Sequence, residues 1–83
     1  MIITNERGLH ARAAAKFVKC VEAYDAEVVV TKDDNQVSGG SIMGLMMLAA
    51  STGTIIEIEA SGKESAEALN ALATLVDGKF GEK

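Results

Sequence analysis

Gly8-Leu9-His10-Ala11-Arg12-Ala13-Ala14-Ala15-Lys16-Phe17-Val18 is where the chain changes character. Before it stand a short apolar opening, Met1-Ile2-Ile3-Thr4, and a turn, Asn5-Glu6-Arg7-Gly8. After it runs an alanine-rich helical segment. Helix formers begin at Ala11, which puts His10, the chain's single histidine, at or beside the first turn. The first N–H groups of a helix have no internal partner, and the helix dipole places partial positive charge there. Such an end binds anions readily. Arg12 adds a planar, permanently charged fork suited to phosphate or carboxylate. An imidazole, with a reference pKa of about 6.5, offers an unprotonated nitrogen at neutral pH. A nucleophilic nitrogen, free amides and a guanidinium thus converge on one small volume. That arrangement suits a phosphoryl group bound covalently to His10.

The rest of the chain supplies a frame. Met1 to Thr4 read as a first strand. A first helix follows, roughly Ala11 to Ala23, with Ala14, Phe17, Val18 and Val21 at the spacing of one buried stripe. Cys20 lies within it as a small space-filler. Glu27-Val28-Val29-Val30-Thr31 is β-branched and gives the clearest strand signal. Lys32-Asp33-Asp34-Asn35 is a polar hairpin turn leading to a short third strand, Gln36-Val37-Ser38. Ser41 reads as the N-cap of a second helix, roughly Ile42 to Ser51, ended by Gly53 as a left-handed cap. This helix is apolar on nearly every side. A domain this small cannot enclose such a helix all round, so the side bearing Met43, Met46 and Met47 is expected to be partly exposed. Flexible, polarizable methionines suit a surface that meets several partners. Thr54 to Ala60 alternates from Ile56 on as a half-buried strand. A third helix starts near Ser65 and runs to Val76 or Lys79, with Leu69, Leu72, Ala73, Val76 and Phe80 as its buried stripe. Strand, helix, strand, strand, helix, strand, helix suits an α+β open-faced sandwich, with three helices on one face of the sheet.

Composition narrows the function. Eighty-three residues predict one small domain, 1–83. Apolar residues reach 48% but aromatics only 4%, so the core must be aliphatic. There is no apolar run of about 18 residues and no secretory leader pattern, so neither membrane insertion nor export is expected. A lone cysteine forms no internal disulfide, which points to a reducing, cytoplasmic setting. A net charge of −4 argues against nucleic-acid binding. One histidine and one cysteine cannot assemble a metal site of usual ligand count, and no cofactor motif is present. No second acid or base is expected to pair with His10, so a hydrolase is not expected.

Two blocks carry a specific resemblance. Gly8-Leu9-His10-Ala11-Arg12 resembles the active-site motif of the HPr phosphocarrier family of the phosphoenolpyruvate-dependent phosphotransferase system. Gly40-Ser41-Ile42-Met43-Gly44-Leu45-Met46 resembles that family's regulatory-serine segment. The match runs from Ile2 to about Phe80. It implies a four-stranded antiparallel sheet of order 1-4-2-3. It implies a phosphohistidine at Nδ1 of His10, charged by enzyme I with Arg12 assisting, and passed to an enzyme IIA domain. Ser41 becomes the site of phosphorylation by an HPr kinase/phosphorylase, and Ile42, Met43 and Met46 the docking patch. Ala13 stands where many sugar-branch relatives have proline. Together with Ala11 and Ser41-Ile42-Met43-Gly44-Leu45-Met46-Met47, it resembles the nitrogen-related or proteobacterial branch more than the sugar-transport one. Gly40 stands where relatives often carry lysine. The expected protein is a monomeric relay component, a phosphoryl carrier and not a turnover enzyme. The rival reading is a regulatory binding module that uses the same surface and transfers nothing.

Overall fold

The computed structural model describes residues 1–82. Helix α1 (Ala11–Glu22) follows the predicted stripe: Ala13, Ala14, Phe17, Val18 and Val21 are buried. Phe17 is fully enclosed, and burying a side chain of that size stabilises by about 2–3 kcal/mol. Strand β1 (Glu27–Lys32) is central. It pairs antiparallel with β2 (Asn35–Ser38) on one side and β3 (Glu57–Ser61) on the other, giving the order β2-β1-β3. Val30 lies opposite both Val37 and Ile58. Asp33, at φ 54, turns the tight β1–β2 hairpin, a conformation that aspartate tolerates. Val28 and Val30 point from one sheet face into the core. There they join Phe17, Leu45, Ile56, Leu72, Val76 and Phe80. Helices α2 (Ile42–Met47) and α3 (Ser65–Asp77) complete the helical layer. The result is an α+β fold of three helices over a three-stranded antiparallel sheet.

The structure departs from the sequence reading mainly at the ends of elements. The expected first strand is reduced, among the described residues, to a single antiparallel bridge between Ile2 and Ile55. Ile3 N–H donates to the Thr54 carbonyl at 2.9 Å, and Ile56 N–H to the Met1 carbonyl at 2.8 Å. The pairing stops there because the chain bends at Asn5 on one side and at the Ser51–Thr54 turn on the other. The order β3-β1-β2 matches the 4-2-3 part of the expected 1-4-2-3 sheet.

The second helix ends at Met47, not Ser51. Lys32 Nζ reaches over from β1 to the carbonyls of Leu48 (3.0 Å) and Ala49 (3.3 Å). Ala49, at φ 52, turns the chain away. Gly53, at φ +85, is therefore no helix cap; it serves the Ser51–Thr54 turn. The last strand starts at Glu57, although Ile56 is buried as its alternation required. In α3 Leu72 and Val76 are buried as read, while Leu69 and Ala73 are only half-buried and Ala68 is enclosed in their place. Phe80 is buried not by continuing that helix but by a short 3-10 turn, Lys79–Gly81, with Lys79 and Phe80 both at positive φ.

Candidate functional site

The site begins with a backbone constraint. Gly8 has φ +64, and a Cβ built there would lie 2.4 Å from the Ala50 carbonyl oxygen and 2.8 Å from Ser51 Cα. Only glycine lets the loop lie this close to the segment after α2. Leu9 then buries its side chain and donates its N–H to the Ala50 carbonyl at 2.9 Å. The loop is closed from within by Asn5, which is wholly buried. Its Nδ2 donates to the Gly8 carbonyl at 2.8 Å, and Gly8 N–H returns to the Asn5 carbonyl at 3.2 Å.

This clamp delivers His10 to the N-cap of α1 in extended backbone (φ −73, ψ 176). Its carbonyl accepts from Ala14 N–H at 2.8 Å, while its side chain makes no capping bond. The imidazole is thus not spent on the helix end. No acidic residue lies in the first turn of α1 to compete for the free amides. His10, Arg12, Arg7, Glu6 and Glu82 line an open cleft of about 230 Å³. Arg12 is exposed and forms no salt bridge among the described residues. Its guanidinium remains available to an anion in the cleft.

Glu82 is the residue that the sequence reading missed, and it corrects the expectation that no acid or base pairs with His10. Its Oε2 meets His10 Nε2, and its Oε1 accepts from Asn5 Nδ2 at 3.1 Å. The hydrogen bond from His10, and then that from Asn5, hold the Glu82 carboxyl below its ordinary value. The tail carrying it is fixed by buried Phe80, whose carbonyl accepts from Lys16 Nζ at 2.6 Å. Nothing local marks Glu82 in sequence, since it lies 72 residues from His10.

The second predicted block lies apart from this cleft. Ser41 is the N-cap of α2, and its Oγ accepts from Gly44 N–H at 3.0 Å. Leu45 and Leu48 are buried, while Ile42, Met43, Met46 and Met47 are exposed by 41%, 72%, 42% and 79%. The methionine side faces outward, as the pattern required, and Met47 is its most exposed member. Cys20 is half-buried, and burial raises its thiol pKa, as befits a filler. No helix is long and apolar enough to cross a membrane, and no cluster of metal-ligating side chains occurs among the described residues.

Comparison with known proteins converges on one family. The family model described as the PTS HPr component phosphorylation site matches residues 1–77. The chain is 55% identical over 80 residues to the phosphocarrier protein HPr of Neisseria meningitidis, covering 96% of this chain and 90% of that protein. It is 39% identical over 80 residues to the phosphocarrier protein NPr of Shewanella violacea, covering 96% and 88%. The crystal structure of HPr-C-His from Thermoanaerobacter tengcongensis superposes with a TM-score of 0.96 at 41% identity, covering 100% of this chain and 93% of that one.

Proposed function

The chain belongs to the HPr family of phosphocarriers of the phosphotransferase system, and on that premise we propose that His10 is the residue on which it carries the phosphoryl group. The observation that carries this reading is the placement of His10. It caps α1 through its backbone alone, at the mouth of a cleft shared with Arg12. With Nε2 engaged by Glu82, Nδ1 is the ring nitrogen without a partner among the described residues. The Nδ1 lone pair attacks phosphorus as the donor's bond to the phosphoryl group breaks, and that electron pair stays on the donor. Phosphoryl transfer asks mainly for in-line placement and charge stabilisation. The amides of the first turn and the Arg12 fork supply both. An exposed helix end also holds the group loosely enough to release it, whereas a closed pocket would trap it.

Enzyme I is the donor in this reading and an enzyme IIA domain the acceptor. Residues 1–83 act as one monomeric, cytoplasmic carrier domain, in the proteobacterial branch in which the Neisseria and Shewanella relatives lie. Ile42, Met43 and Met46 form the docking patch, and their exposure on α2 supports that role. Ser41 borders this patch, so a phosphate added by an HPr kinase/phosphorylase would place about −1.5 to −2 charge beside an apolar contact. The family favours this relay over a binding module that transfers nothing.

The test is incubation with phosphoenolpyruvate and enzyme I, followed by intact mass. One acid-labile phosphoryl adduct on the wild type, absent from His10→Ala, is the expected result. A wild-type protein that stays unmodified, beside a second carrier that enzyme I does phosphorylate, refutes the assignment.

A further inference from the structure

We propose that Glu82, aimed by the buried amide of Asn5, is a positioning residue for the reaction at His10, holding the imidazole with its proton on Nε2 and its lone pair on Nδ1. The proposal rests on the phosphoryl-carrier reading of His10 and adds a residue to it. Three observations on different parts of the chain carry it. Both carboxylate oxygens of Glu82 are engaged, Oε2 by His10 and Oε1 by Asn5 at 3.1 Å. Asn5 is fully buried and also bound to the Gly8 carbonyl at 2.8 Å, so it presents Nδ2 from a fixed place. The tail itself is anchored by the enclosed ring of Phe80 and by Lys16 Nζ on the Phe80 carbonyl at 2.6 Å. A merely frayed C-terminal segment would have none of these ties.

The chemistry follows from what each atom accepts or gives. Asn5 Nδ2 donates to Oε1, which leaves Oε2 as an acceptor facing Nε2. An ionised carboxylate only accepts, so the neutral ring must carry its proton on Nε2. The depressed Glu82 carboxyl keeps that acceptor ionised. The Nδ1 lone pair is then the ring's only free nucleophile. When Nδ1 bonds to phosphorus, the Nε2 proton stays in place. The ring becomes a phosphorylated imidazolium, whose positive charge faces the carboxylate. On onward transfer the N–P bond breaks, its electron pair returns to Nδ1, and the starting tautomer is restored with no proton moved. The tail thus serves both loading and unloading.

The experiment compares wild type, Glu82→Ala and Glu82→Gln by two readouts. Nitrogen chemical shifts of the unphosphorylated ring report the tautomer without any partner protein. The wild type is expected as the Nε2–H form, and Glu82→Ala should move the two ring shifts toward each other as both tautomers populate. Adduct formation is then followed against enzyme I concentration. Glu82→Ala should lose roughly tenfold in maximal rate, with little change in the concentration giving half-maximal rate. Glu82→Gln keeps an oxygen acceptor and should recover most of the rate, which a purely structural tail contact would not distinguish. Ring shifts unchanged in Glu82→Ala, or rates within twofold of wild type, overturn the proposal. If Glu82→Ala unfolds, the rate and shifts of Glu82→Gln decide, since a folded variant with a displaced tautomer and a wild-type rate refutes it equally. No adduct on wild type removes the carrier reading itself, and the ring shifts show whether the tautomer is nonetheless held.

Discussion

Replacing Gly8 by alanine strikes the contact that presents His10, and its cost can be separated into two parts. The first is conformational: Gly8 sits at φ +64, where an L-residue costs about 1–2 kcal/mol more than glycine. The second is close approach. A Cβ would stand 2.4 Å from the Ala50 carbonyl oxygen, whereas such contacts essentially never fall below 3.0 Å, so the loop must retreat by about 0.6 Å. That retreat stretches the 2.9 Å bond from Leu9 N–H to the Ala50 carbonyl, forfeiting about 0.5–1.5 kcal/mol. The sum is roughly 2–3 kcal/mol. At about 4–8 °C per kcal/mol for a chain of this size, the melting temperature should fall by roughly 10–20 °C.

Gly53→Ala is the matched control. Gly53 also has positive φ, +85, but a Cβ there meets nothing within 4 Å. It should show only the conformational part, roughly 1–2 kcal/mol. Thermal unfolding followed by circular dichroism measures both. Phosphoryl acceptance then separates them further, because displacing the loop moves His10 off line while the Gly53 turn does not touch the cleft. Misplacement by about 1 Å is enough to cost about a hundredfold in rate. Equal melting shifts for the two variants, or a Gly8→Ala protein that is phosphorylated at the wild-type rate, would show that the approach of Gly8 to Ala50 does not position the histidine.

Four further outcomes are expected. Arg12→Ala, at an exposed position, should change stability by no more than about 0.5 kcal/mol yet slow phosphoryl acceptance by roughly 10²-fold in a single-turnover assay. Ser41→Ala removes the 3.0 Å cap on Gly44 N–H and should cost about 1 kcal/mol in denaturant unfolding. Met43→Glu, at a side chain 72% exposed, should leave unfolding unchanged but raise the enzyme I concentration needed for half-maximal phosphorylation. The Glu82 carboxyl is held below its ordinary 4.5 by His10 and Asn5. Its contribution to stability is therefore complete above pH 4.5 and is lost as pH falls through the lower folded value. Acid titration of wild type against Glu82→Gln should show the two stability curves converging on that limb only.

What the sequence made legible follows from the range over which each signal acts. The α1 stripe of Ala14, Phe17, Val18 and Val21 repeats within one helix, and the β1 run Val28-Val29-Val30 advertises itself within a few residues. Both elements formed where they were read. Exposure of the methionine face also followed from local pattern plus size, since three helices over three strands cannot surround α2. The boundaries that slipped were set from outside the element. Lys32 of β1 holds the Leu48 and Ala49 carbonyls just past α2, and Ala49 accepts a left-handed turn so that the Ala50 carbonyl can meet Leu9 N–H. No propensity in Leu48-Ala49-Ala50 announces that partner.

The candidate site divides along the same line. His10 and Arg12 were visible because a helix start is written in consecutive residues. Asn5 read as an ordinary turn residue, yet it is the one fully buried polar side chain among the described residues, tying the loop to the tail. Glu82 was hidden further, because its place depends on Phe80 entering the core through two successive residues at positive φ rather than along α3. That entry reverses the chain just after Gly78 and brings the tail back across α1, where Lys16 receives it. Of the two helix ends that the stripe allowed, Val76 and Lys79, the observed end at Asp77 lies beside the first, and the irregular turn begins directly after it. The irregular turn thus supplies the second half of the candidate site: local pattern places the imidazole, and the cost of the left-handed residues, offset by burying Phe80, places the carboxylate beside it.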